Sequence, residues 1–99
     1  MTSKQRAYLK GLAMNIVPVF QIGKSSLTPE ITQAVDEALE ARELIKITVL
    51  KNCLADGRSI AEVLAERTHS QVVQVIGRKI VLYRPAKDET KRKIVLPEK

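Results

Sequence analysis

Few side chains in this chain of 99 residues could do chemistry alone. Cys53 is the one cysteine and His69 the one histidine. A thiol beside an imidazole can act as a nucleophile, but neither residue sits in a nucleophile motif. A single cysteine excludes an intrachain disulfide and a Cys-rich zinc site. The acids do not pair on an apolar surface, so neither an enzyme nor a cofactor is expected. Anion binding is the chemistry that remains. Gly23-Lys24-Ser25-Ser26 lies between a strand and a helix, where backbone N–H groups and a helix dipole meet anions. Gly23 lets the backbone approach, Lys24 supplies a cation, and Ser25 and Ser26 supply hydroxyls. The spacing is not that of a nucleotide-hydrolase P-loop.

Other cations could extend that site. Arg6 and Lys10 are four apart and lie one above the other on a helix, with Lys4 flanking them. Arg78 and Lys79 fall at a hairpin tip, and Arg84 follows the last strand. On the second strand, alternation turns Lys46 away from Ile45 and Ile47. Taken singly, each of these is an ordinary solvated charge. Together they belong to an excess, 17 Lys and Arg against 11 Asp and Glu, a net charge of +6. The excess has a direction. Glu30, Asp36, Glu37, Glu40 and Glu43 against Arg42 give one segment −4, and the rest of the chain carries +10. A polyanion is the partner this suggests. Tyr8, Phe20 and Tyr83 are the only aromatics, too few to fill a core and also stack bases. Contacts to RNA or DNA would therefore go to phosphates and shape.

These residues need elements to hold them. Thr2 and Gln5 match a capping box opening a helix to Ala13. Val17–Ile22 reads as a short strand with Pro18 near its start. Thr28-Pro29-Glu30 opens a second helix, its apolar face Ile31, Ala34, Val35, Ala38 and Leu39. Leu44–Leu50 alternates as a half-buried strand. Asn52–Arg58 reads as a loop turning at Asp56-Gly57, and Ser59 with Glu62 as a capping box for a third helix to about Thr68. Val72–Ile76 and Ile80–Tyr83 flank Gly77-Arg78-Lys79 as a hairpin.

The order α-β-α-β-α-β-β predicts an α/β (α+β) domain. Its two strand–helix–strand units predict two parallel pairings, and the hairpin adds an antiparallel strand. One domain over 1–85 is expected, followed by a charged tail over 86–99 with Ile94-Val95-Leu96 as its docking segment. No apolar run reaches the ~20 residues of a membrane span, and the first residues do not read as a signal peptide. A cytoplasmic monomer is the expectation.

Four blocks carry a resemblance. They are Lys4–Ala13, Gly23–Thr28, Glu40–Lys46 and Ile76–Arg84, in this order and spacing similar to the bacterial YhbY family of stand-alone CRM domains. The likeness covers nearly the whole chain. It implies a mixed four-stranded sheet with helices, like the C-terminal domain of translation initiation factor three. It also implies RNA binding, association with precursors of the large ribosomal subunit, and a role in ribosome assembly. The family's RNA-contacting GxxG loop falls at Gly23–Ser26, with Ser26 standing where the second glycine would be.

The leading expectation is a non-catalytic protein that binds ribosomal RNA through Gly23, Lys24, Ser25 and Ser26 together with Lys4, Arg6 and Lys10. Arg78, Lys79 and Arg84 are further candidates. The main rival is an adapter whose acidic helix, 28–42, docks a protein of the pre-ribosomal particle. DNA binding is a third reading, because phosphate contacts alone do not separate the two polymers.

Overall fold

Each helix begins where a short polar side chain satisfies the backbone donors that the first turn leaves open. The computed structural model describes residues 1–24 and 27–98. Thr2 caps α1 (Ser3–Ala13) by accepting from the Gln5 amide at 3.1 Å, and the Gln5 side-chain oxygen accepts from the Thr2 amide at 3.0 Å. Thr28 caps α2 (Pro29–Arg42) by accepting from Ile31 at 3.2 Å. The third helix differs from expectation. The cap of α3 (Gly57–Thr68) is Asp56, whose carboxylate accepts from the Ser59 amide at 2.7 Å. Ser59 is thus the capped residue, and Asp56-Gly57 is a helix entry instead of a loop turn. An ionised carboxylate adds an attraction to the positive helix end that a hydroxyl lacks.

Four strands form one sheet: β1 (Phe20–Ile22), β2 (Leu44–Val49), β3 (Gln71–Ile76) and β4 (Lys79–Tyr83), in the order β1-β2-β4-β3. Only β1 and β2 pair in parallel; β4 is antiparallel to both of its neighbours. The second expected parallel pairing is absent, because β4 lies between β2 and β3. Ile80 to Tyr83 are buried without a break, as a central strand requires, whereas β3 carries Gln71 and Gln74 at the edge. β1 is shorter than Val17–Ile22. Pro18 has no N–H to give, and pairing starts with the Val19 amide on Lys46 O at 2.9 Å.

The sheet separates two cores. On one face Ile22, Ile45, Ile47, Val49, Ile80 and Leu82 meet Val35 and Leu39 of α2 and Ile60, Ala61 and Leu64 of α3. On the other, Leu44, Val73, Val81 and Tyr83 meet Leu9 and Ala13 of α1. Cys53 is buried with the first core, while His69 is an exposed cap at the far end of α3. Cys53 precedes α3 and His69 caps its far end, across a helix about 18 Å long, so the structure does not bring the two together. No helix among the described residues is long and apolar enough to cross a membrane.

After β4 the chain is tied back to the body. Ile94 and Leu96 pack half-buried against the α1 core, and Gln5 Nε2 donates to Pro97 O at 3.0 Å. Residues 94–96 make no strand.

Candidate nucleic-acid interface

Alternation along β2 sends Ile45, Ile47 and Val49 to the α2/α3 side, and Lys46 and Thr48 to the side of α1. In the antiparallel register Lys46 stands opposite Val81, and Thr48 opposite Lys79. Directly opposed residues share a face, so both lysines emerge on the α1 side. Lys79 Nζ donates to Thr48 Oγ1 at 3.1 Å, which holds the ammonium over the sheet. α1 covers only part of this face. Between its last turns and the uncovered strands runs a groove of about 590 Å³, lined by Lys10, Lys46, Lys79 and Gln74 together with Met14 and Ile76.

The charge of this face follows from element placement. None of the 11 acids lies on α1 or on any of the four strands. Among the described residues, no acid ion-pairs with Lys10, Lys46 or Lys79. No acid lines the groove, so these unpaired cations give it a locally positive field.

A second group of cations gathers at one end of the sheet. β1 and β2 finish there, and the β3–β4 hairpin turns there at Gly77-Arg78. Val49 N donates to Arg78 O at 2.7 Å, and Arg78 Nη1 donates to Leu50 O at 3.3 Å. Gly23 packs at the same end. A Cβ on it would come within 3.2 Å of Asn52 Oδ1. The need for glycine is thus close approach, since Gly77 is the only described glycine at positive φ. Lys24 follows, exposed. Ser25 and Ser26 lie outside the described residues. The structure therefore joins Gly23 and Lys24 to Arg78 and Lys79 at one end, and Lys79 connects that end to the groove.

Other candidates sit elsewhere. Arg6 shares a stripe with Lys10, but its guanidinium turns inward: Nη1 donates to Val72 O at 2.6 Å and to Val73 O at 3.0 Å. Those carbonyls lie where the β3–β4 register slips between Val72 and Gln74. Arg6 thus clamps the irregular stretch of this edge strand by supplying a donor to two of its carbonyls. Lys4 is exposed at the opposite end of α1, about 9 Å along the axis from Lys10. Arg84 is 5% exposed and leaves the candidate surface altogether. Its Nη1 donates to Asp36 Oδ1 and to Thr68 O, and its Nη2 to Asp36 O and Glu40 Oε1.

The acidic segment is also occupied. Glu43 is fully buried, and its carboxylate accepts from the amides of Ala86, Lys93 and Ile94 at 2.7–2.9 Å. Burial alone would raise its pKa, but these three donors and nearby Arg92 outweigh it and hold the carboxyl below its ordinary range. Glu40 accepts from the amides of Asp88 and Lys87, which lower its pKa in the same way. Asp36, Glu40 and Glu43 thus fasten the chain after β4 to α2. The adapter reading keeps only Glu30 and Glu37 of the five acids as a free docking face.

Sequence reasoning turned Lys46 outward but did not place it with Lys10 and Lys79, and it missed Met14, Gln74 and Ile76. A hint existed in Ile76, an apolar residue at a hairpin end beside two cations.

Comparison with known proteins agrees with this architecture. Residues 1–84 match the family of the CRS1 / YhbY (CRM) domain. The chain is 43% identical over 97 residues to the Bacillus subtilis protein named "Probable RNA-binding protein YqeI", covering 98% of this chain and 99% of that one. A Haemophilus influenzae protein named "RNA-binding protein" is 35% identical over 99 residues, covering 100% and 97%. The solution structure of a hypothetical protein from Staphylococcus aureus has the same fold, with a TM-score of 0.77 at 46% identity over 98% of this chain and 99% of that chain.

Proposed function

Because this chain belongs to the CRS1 / YhbY (CRM) domain family, we propose that it is a non-catalytic RNA-binding protein that meets RNA phosphates at the lysine-lined groove beside α1. One observation carries the reading: Lys10, Lys46 and Lys79 line a single groove without an opposing acid. The hairpin tip and Lys24 extend that surface to the end of the sheet. Phosphates that bind there release counterions, so affinity depends steeply on salt. The likeness of the four sequence blocks to the YhbY family supports a finer identity for the RNA. On that reading it is ribosomal RNA in precursors of the large subunit, and the protein assists their assembly in the cytoplasm.

Two measurements test these levels separately. Fluorescence anisotropy against a large-subunit ribosomal RNA transcript should show saturable binding, outcompeted more effectively by RNA than by matched DNA. Sedimentation of cell extract should place the protein with large-subunit precursors and release it after nuclease. Binding that survives nuclease would favour a protein partner instead.

A further inference from the structure

Phosphate binding requires cations, but the groove under α1 is more than a row of cations. Its walls include two large apolar side chains held in solvent, Met14 at 81% exposure and Ile76 at 61%. Exposed apolar surface beside unpaired lysines fits a ligand that is both anionic and flat-faced. Resting on the RNA reading above, we propose that this groove holds an unpaired nucleotide of single-stranded RNA. The lysines take the phosphates flanking it, and Met14 and Ile76 take the face of the base.

The shape of the site supports this occupant over a duplex. Paired bases hide their faces in the stack, and an A-form helix presents phosphates and 2′-hydroxyls over a broad surface. A cleft between one helix and the open strands admits a single splayed base. Its volume of about 590 Å³ lies inside the roughly 300–1,000 Å³ range of small-molecule pockets. No aromatic ring lines it, so a thioether and a branched aliphatic supply the contact; the polarisable methionine sulfur makes favourable contacts with aromatic rings. Gln74 stands on the same wall, and its carboxamide offers both a donor and an acceptor to a base edge.

Gly11 supplies the test. It lines the groove, it is helical, and a Cβ added there meets nothing within 4 Å. Gly11→Leu therefore fills the groove without disturbing the core, and the change raises helix propensity. Binding is read by anisotropy with a twelve-nucleotide oligouridylate and with a twelve-base-pair RNA duplex. The parent protein is expected to prefer the single strand. Gly11→Leu should weaken that binding about tenfold, the scale of losing one base contact, while duplex binding holds and melting temperature does not fall. Met14→Gln, at an exposed position beyond α1, should weaken the single strand in the same direction. Parent-like single-strand affinity in both variants overturns the proposal. A parent that binds the duplex as tightly as the single strand also overturns it, yet leaves the RNA reading standing. A parent that binds neither RNA removes both.

Discussion

The guanidinium of Arg84 donates to the carboxylate of Asp36, 48 positions earlier on α2, and the same Nη1 donates to the buried Thr68 carbonyl at 2.9 Å. A cation that looks like an RNA ligand in sequence is thereby a tie between β4, α2 and the end of α3. Arg84→Ala should lower unfolding stability by about 2–3 kcal/mol, because Thr68 O loses a charged donor in a buried site. Asp36 is partly exposed and regains water, which keeps the cost from being larger. Arg84→Lys should recover only part of it, since an ammonium lacks the planar fork. Urea titration measures the loss, and RNA affinity per folded molecule should stay at the parent value.

Glu43 makes the acid limb of stability. Its pKa is lowered in the folded state, so between that value and the ordinary 4.5 the unfolded chain holds more protons. Stability from Glu43 is therefore complete above that ordinary value and is lost as pH falls through the folded one. Glu40, lowered in the same direction, adds to the effect. Glu43→Gln should cost about 2 kcal/mol at neutral pH and flatten the decline on acidification. Thermal melts from neutral pH down to about 3 measure both; an unchanged pH profile would show that the carboxylate does not anchor residues 86–94.

Two glycines should respond in opposite ways to alanine. Gly77 turns the β3–β4 hairpin at φ +55°, where an L side chain is strained, so Gly77→Ala should destabilise by about 1 kcal/mol. Gly11 lies inside α1 with open space around it, so Gly11→Ala should stabilise by up to about 1 kcal/mol. Denaturant midpoints at matched slope compare them.

Arg6 should behave like Arg84 and unlike Lys10. Arg6→Ala removes the donor shared by Val72 O and Val73 O and should cost about 1–2 kcal/mol of stability. Lys10→Ala should leave stability within about 0.5 kcal/mol, as surface substitutions do, and weaken RNA binding.

What the sequence made legible was local. The Thr2–Gln5 box, the Thr28-Pro29 entry and the outward turn of Lys46 all depend on residues a few positions apart. The order of strands did not follow from such spacing, because placing β4 between β2 and β3 is a choice made by the whole core. The burial of Arg84 had a readable trace. Continuing the alternation of Ile80 and Leu82 puts Arg84 on the α2/α3 side, and Asp36, Glu40 and Glu43 recur at helical spacing beside the buried Val35 and Leu39. A carboxylate stripe that borders a core stripe calls for an internal partner. The groove had no such trace, since it exists only because α1 stops short of covering Lys46 and Lys79.

The most direct test of the central claim is the salt dependence of RNA affinity in Lys46→Glu/Lys79→Glu. Each single-strand phosphate contact contributes about −0.7 to the slope of log K against log salt. The double variant should bind more weakly at low salt, with a slope shallower by about 1.4 and parent-like thermal stability. A folded variant with the parent's affinity and slope would contradict the assignment of RNA to this face.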